Sequence, residues 1–270
     1  MPPPAPRNPV RDAISSVAVL SLLAGVYFLD PDTSLQEVRK AGTLRACVPE
    51  TYPPLVTNSP DRPGIDIELL REIAKGIGVE LALTRVPAMG QDFNPRNWRI
   101  TRAQCQALAG GVVDSPLTRS FLDTAGPHAE TGWAIVSKVP IADIARKRAT
   151  ALPGVSGLDR LALTQALRAA SATAALAPNA DAFAAAIRDG RADFGVTERL
   201  NAQRIAADNT WSVDWMPGDL PRYSVVFGLW KGDLTLKRAI VRQMERMKAD
   251  GTQAAILSRY LGGPKTASAQ

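Results

Sequence analysis

The chain has 270 residues, 46% apolar and 21% charged, enough to bury a large core in one or two domains. Its charge of +6 and sequence pI near 9.6 come from arginines scattered among acids, with Arg146, Lys147 and Arg148 as the densest cluster; no basic face for nucleic acid follows. One histidine and two cysteines make no Cys/His cluster, so neither metal nor cofactor is expected.

Residues 1–12 read as a disordered cytoplasmic tail, and 13–30 as a transmembrane anchor or signal segment. The run AISSVAVLSLLAGVYFL carries no charge, follows Arg7 and Arg11, and lacks a clean A-x-A cleavage site. It is taken as an uncleaved inner-membrane anchor, with export by a signal peptide as the alternative. The flanking arginines stay cytoplasmic, which places the rest of the chain in the periplasm.

SLQEVRKAG predicts a helix ending at Gly42, and TLRACV a strand. A proline-rich loop leads to IDIELLREIAKGIG, where Ile65, Leu69, Ile73 and Ile77 recur at helical spacing before Gly78. VELALTRV alternates as a strand, which completes a β-loop-α-β unit of a parallel sheet. AQCQALAGGVV suits a buried strand, and ETGWAIVSK another. VPIADIARKRATALPG then turns charged and proline-marked, so the first lobe spans 35–138.

The second lobe, 139–225, repeats the alternation: GLDRLALTQALRAA as helix, ATAALA as strand, NADAFAAAIRDG as helix capped by Asn179, and ADFGVTE as strand. YSVVFGLW opens a return to the first lobe over 226–262, where a helical pattern breaks at Asp250 and Gly251. A disordered tail closes the chain at 263–270. Crossovers are expected near Ser137 to Pro140 and Ser224 to Trp230, with a ligand site in the cleft between hinged lobes. Cys47 and Cys105 lie in apolar stretches read as strands of one sheet, so they are either a disulfide or two buried thiols.

Five segments in order resemble the family 3 extracellular solute-binding proteins, of the amino-acid ABC importer type. They are TYPPL at 51–55, GIDIEL at 64–69, LTRSFLDTAGPH at 117–128, IRDGRADFGVTE at 187–198, and the closing helices at 231–262. The resemblance implies a type 2 periplasmic binding protein fold, α/β and two-lobed, beside the N-terminal membrane helix. It also implies capture of an amino acid or related carboxylate, with an ABC permease as partner. Glu68 and Glu198 stand where the family often has aspartates, and His128 replaces a tyrosine. Gly110, Gly111, Val112 and Asp114 displace the usual serine and threonine ligands, which points to a divergent branch.

Arg119 matches the arginine that holds the ligand's carboxylate in that family, and a guanidinium offers a planar fork suited to it. A surface pairing with Asp114 or Asp123 is the alternative. Glu198, at a strand end, would accept from a ligand ammonium, or else serve a helix terminus. Tyr52 would give an aromatic wall or else pack between the loop prolines, and Asp66 would meet a basic ligand side chain or the dipole of its own helix. Gly111, Asp114 and Thr118 complete the first-lobe set. Ser156, with Gly157, would offer backbone donors to an anion or act as an ordinary cap.

His128, without a clear nucleophile, reads as a packed or hydrogen-bonded loop residue. No catalytic residues are assigned. The enzymatic alternative on this fold resembles the periplasmic cyclohexadienyl dehydratases, with Glu198 or Glu50 as candidate acids. A further alternative is an accessory module like the binding proteins associated with quinoprotein dehydrogenases, whose partner is a protein.

Overall fold

A computed structural model describes residue 17 and residues 32–89, 94–152, 158–262 of the chain. The expected tails and, apart from Val17, the expected anchor lie outside them. Among the described residues no helix is long and apolar enough to cross a membrane. From Ser34 onward the described residues form one compact unit, a mixed α/β fold of two five-stranded sheets.

Helix α1 (Ser34–Ala41) precedes β1 (Thr43–Val48), α2 (Ile65–Ile77) and β2 (Glu80–Arg85). In α2, Ile65, Leu69, Leu70, Ile73 and Ile77 are buried as their spacing requires, and Gly78 ends the helix in the left-handed region. After β3 (Ala107–Leu108) come α3 (Pro116–Phe121), β4 (Leu122–Thr131) and β5 (Trp133–Ser137). Then follow β6 (Arg148–Leu152), α4 (Arg160–Ala169), β7 (Thr173–Leu176), α5 (Ala180–Arg188), β8 (Phe194–Glu198) and α6 (Arg199–Asn209). Asn179 caps α5 as expected, accepting from the Ala182 amide at 2.9 Å. The chain closes with β9 (Ser212–Trp215), β10 (Tyr223–Trp230), α7 (Leu234–Ala249) and α8 (Thr252–Leu261).

The first sheet has the order β2-β1-β3-β10-β4, and the second β7-β6-β8-β5-β9. In each, four strands run in one direction and one runs against them, β10 in the first sheet and β5 in the second. Parallel strands covered on both faces read as continuous apolar runs, which is why TLRACV and ADFGVTE announce themselves in the sequence.

Several expected elements differ. AQCQALAGGVV shrinks to the two residues of β3, because Gly110 and Gly111 both take positive φ, 89° and 90°, and end the strand. The segment around Gly126 and Pro127 belongs to the ten-residue β4. That strand lies at the sheet edge, and its pairing with β10 is irregular beside Pro127, where a missing N–H is tolerated. His128 is accordingly a strand residue, although packed and hydrogen-bonded as anticipated. The charged stretch after Pro140 contains β6, whose Ala149, Thr150 and Ala151 are buried.

The passage between sheets also differs from the 138/139 and 225/226 boundaries. Thr131 ends a strand of the first sheet and Trp133 begins one of the second, so the change falls at Gly132. A side chain is crowded at this position: a Cβ would lie 3.0 Å from both the Pro221 carbonyl oxygen and the Trp215 ring. The return runs through 216–222, because Tyr223, Ser224 and Val225 already pair with β4.

Candidate functional site

In the first sheet β1 lies between β2 and β3, so the loops that leave β1 and β3 diverge at their carboxyl ends. That is where open α/β sheets bind ligands. The second sheet repeats the arrangement with β6 between β7 and β8. The loops so placed carry Tyr52 after β1, Gly110 and Gly111 after β3, and Glu198 at the end of β8. Ser156 and Gly157, after β6, lie outside the described residues.

Tyr52 sits in a tight loop closed by its amide donating to the Val56 carbonyl (2.8 Å) and the Val56 amide donating back (3.0 Å). Its buried ring lies against Gly111, where a Cβ would stand 3.3 Å from ring carbons. Burial lifts its phenol well above the ordinary value, and the charges of Glu198 and Asp66 lift it further. Tyr52, from the first sheet, is therefore within electrostatic reach of Glu198 from the second.

Asp66 is the second residue of α2 and is fully buried. One carboxylate oxygen meets His128 Nε2 at 2.8 Å, and the other accepts from the Gly110 amide at 2.7 Å. The His128 ring stacks on Phe227 with centroids 4.6 Å apart. Asp66 thus ties α2, β4 and the β3 loop together, and its carboxylate is turned inward instead of toward a basic ligand group.

Glu198 caps α6. Its oxygens accept from the amides of Leu200 and Asn201, each at 3.0 Å, and the Thr131 hydroxyl donates to it as well. Glu198 is 4% exposed, and burial raises its pKa despite these stabilising hydrogen bonds. Of the two readings of this acid, the helix-terminus one is realised in the structure.

Arg119 and its neighbours form a second group. Ser115 caps α3 by accepting from the Thr118 amide at 3.1 Å, and Thr118 is buried beneath it. The Arg119 side chain is 57% exposed and meets Asp114 at 3.3 Å. Asp114 also accepts from the Thr124 hydroxyl at 3.4 Å. The structure thus brings Tyr52, Gly111, Asp66 and Glu198 together, and it sets Arg119, Asp114 and Thr118 around α3.

Cys47 and Cys105 form a disulfide with Cα atoms 5.6 Å apart, although Cys105 precedes β3 instead of lying in it. The bond pins β1 to the approach of β3, the two strands whose loops supply Tyr52, Gly110 and Gly111. Thr131 was invisible to sequence reasoning, because nothing local marks a hydroxyl as the partner of an acid 67 residues away. At the passage between sheets, the Arg199 amide donates to the Gly132 carbonyl at 3.0 Å, and the Arg199 and Arg222 guanidinium groups lie 4.0 and 4.4 Å from the Trp215 ring. A depression of about 710 Å³ between α6 and α8, lined by Trp211, Val213 and Leu257, includes none of the residues selected from sequence.

The family model for bacterial extracellular solute-binding proteins, family 3, matches residues 44–263. No curated protein matches the chain. Among solved structures, the chain is similar to a polar amino acid ABC uptake transporter substrate binding protein from Streptococcus thermophilus: TM-score 0.70, 19% identity, 84% of this chain and 89% of that one. It is also similar to the unliganded open L-cystine solute receptor of Neisseria gonorrhoeae, with TM-score 0.66, 18% identity, and 85% and 96% of the two chains covered. An ancestral cationic amino acid solute binding protein gives TM-score 0.67 at 21% identity, over 84% of this chain and 99% of that one. The fold is therefore that of the type 2 periplasmic binding proteins.

Proposed function

Because this chain belongs to the bacterial extracellular solute-binding proteins, family 3, we propose that it captures a small organic ligand, an amino acid or related carboxylate, between its two sheets for an ABC importer. The observation that supports this reading is that the two sheets repeat one strand-end arrangement, with the Glu198 charge of the second acting on the buried Tyr52 phenol of the first. Arg119 supplies the cationic contact. Its exposed pairing with Asp114 is worth about 0.2–1 kcal/mol, little enough for a ligand carboxylate to replace it. In this reading the protein works in the periplasm, held at the inner membrane by the segment 13–30, and closes about Gly132 and 216–222 on its ligand.

The test is a thermal-shift and calorimetric screen of the intact chain against amino acids and organic acids. A hit that Arg119→Ala abolishes supports the reading, and unchanged affinity in that variant refutes the assigned pocket.

A second reading has one observation behind it. A carboxyl whose pKa is raised by burial, and whose charge acts on a buried phenol, is suited to proton transfer. An ancestral amino acid-binding protein described as a precursor of cyclohexadienyl dehydratase shares the fold at 21% identity and TM-score 0.55. Product formation from prephenate or arogenate, lost in Glu198→Gln, would establish a dehydratase; its absence leaves the binding protein.

A further inference from the structure

We propose that the contact between α6 and α8 is a stop that holds the two lobes apart, so that closure requires these helices to separate; this rests on the ligand-capture reading and adds the element that sets its open state. β8 and β9 both run against β5 and are therefore parallel to each other. Helix α6 is the crossover between them, returning the chain from the carboxyl end of β8 to the amino end of β9. Its first turn is fixed at the join between sheets: the Arg199 amide donates to the Gly132 carbonyl at 3.0 Å, and Leu200 is buried in the core of the first lobe. Beyond that turn the helix belongs to the second lobe, with Ala202, Ile205 and Ala206 buried in its core. Ala207, about 12 Å along the axis from Arg199, faces the end of α8, whose Ile256 and Tyr260 are buried in the first core.

At this point the lobes touch without sharing a strand or a crossover. A Cβ at Gly262, just past α8, would stand 3.2 Å from the Ala207 methyl, so the close approach depends on small residues. Beside it lies the depression of about 710 Å³. Trp211 and Val213 on one side of it pack against the second core, and Leu257 and Leu261 on the other against the first. The order along the strand direction decides the motion. The strand-end site lies beyond the carboxyl end of β8, the join at that end, and the depression at the amino end of β9, on the other side of the join. A rotation about the join that narrows the first widens the last. Widening exposes the apolar side chains of both cores to water, which favours the lobes as they stand until ligand contacts offset it.

Small-angle X-ray scattering of the intact chain with no solute added tests this, whichever ligand the protein takes. Ala207 on α6 and Ser258 on α8 are exposed and line the two sides of the depression. Ala207→Phe and Ser258→Phe each drive a wedge into it from opposite lobes, and each should shift the radius of gyration below that of the parent. Ala255→Phe, exposed on α8 but outside the depression, should match the parent. Circular dichroism checks that each variant is folded, and either wedge decides the matter if the other does not fold. A radius unchanged or enlarged by the wedges overturns the stop, as does equal compaction in Ala255→Phe, and in each case the solute screen still decides ligand capture on its own. Compaction by the wedges beside an empty screen would leave the stop in place and remove the capture reading.

Discussion

Asp66 and Glu198 show how the same side chain type acquires different work from its surroundings. The resemblance assigned both to ligand contact, yet each is anchored by amide groups that secondary structure leaves without intrahelical or ladder partners. Asp66→Ala should therefore act on stability before binding. It strips an acceptor from His128 and from the Gly110 amide, each such loss costing about 1–3 kcal/mol. Urea unfolding of the purified variant checks this, and a variant as stable as the parent would contradict the account.

Glu198 makes a pH-dependent contribution whose sign follows from its raised pKa. Above the ordinary glutamate value of 4.5, the unfolded chain gives up this proton before the folded chain does. The folded state then binds more protons, so this group's contribution to stability falls as pH rises through the window above 4.5. Glu198→Gln should remove that slope, so urea midpoints of parent and variant should diverge in pH dependence as pH rises above 4.5. Parallel curves would show that the carboxyl group is not desolvated. These roles were not legible in the sequence. An acid at a strand end looks alike whether its partner is a ligand or the next turn of helix, and Thr131 lies far away in the chain.

Elements with covered faces and clear stops were legible: TLRACV, the helix from Ile65 to Gly78, and the break at Asp250 and Gly251 all stand where apolar spacing and glycine put them. Elements at sheet edges, or interrupted by charge and proline, were not. β4 carries Gly126 and Pro127 in mid-strand, and β6 begins in an arginine-rich run, so local pattern argues against both. Two elements bear directly on the site. Removing the Cys47–Cys105 bond by a double serine substitution frees a loop of 58 residues, for which chain entropy gives a loss of about 4 kcal/mol. Differential scanning calorimetry should register it, and an unchanged transition would deny the bond its structural part. Gly111→Ala forces an L side chain to φ 90° against the Tyr52 ring, at about 1–2 kcal/mol, and should weaken ligand affinity by moving the ring. Calorimetry on the best ligand checks that effect.

At the scale of the molecule, two sheets of matching topology are joined through Gly132 and 216–222, with Arg199 and Arg222 against Trp215 at the join. A chain that changes sheets at one glycine can turn there without breaking either ladder, and this is what a ligand-driven closure requires. Gly132→Val would press on the Pro221 carbonyl and the Trp215 ring. It should reduce the compaction that small-angle X-ray scattering records when ligand is added. The two-lobed plan was readable from the repeated strand and helix alternation. The place of the join was not, because ETGWAIVSK reads as a single strand and only its pairing shows that Thr131 and Trp133 serve different sheets.

A crystal structure with the tightest ligand from the screen bears most directly on all of this. The account predicts density for that ligand at the strand ends, touching Tyr52 and Gly111, with its carboxylate on Arg119 in place of Asp114. Density elsewhere, as in the depression between α6 and α8, with the Arg119 to Asp114 pair undisturbed, would contradict it.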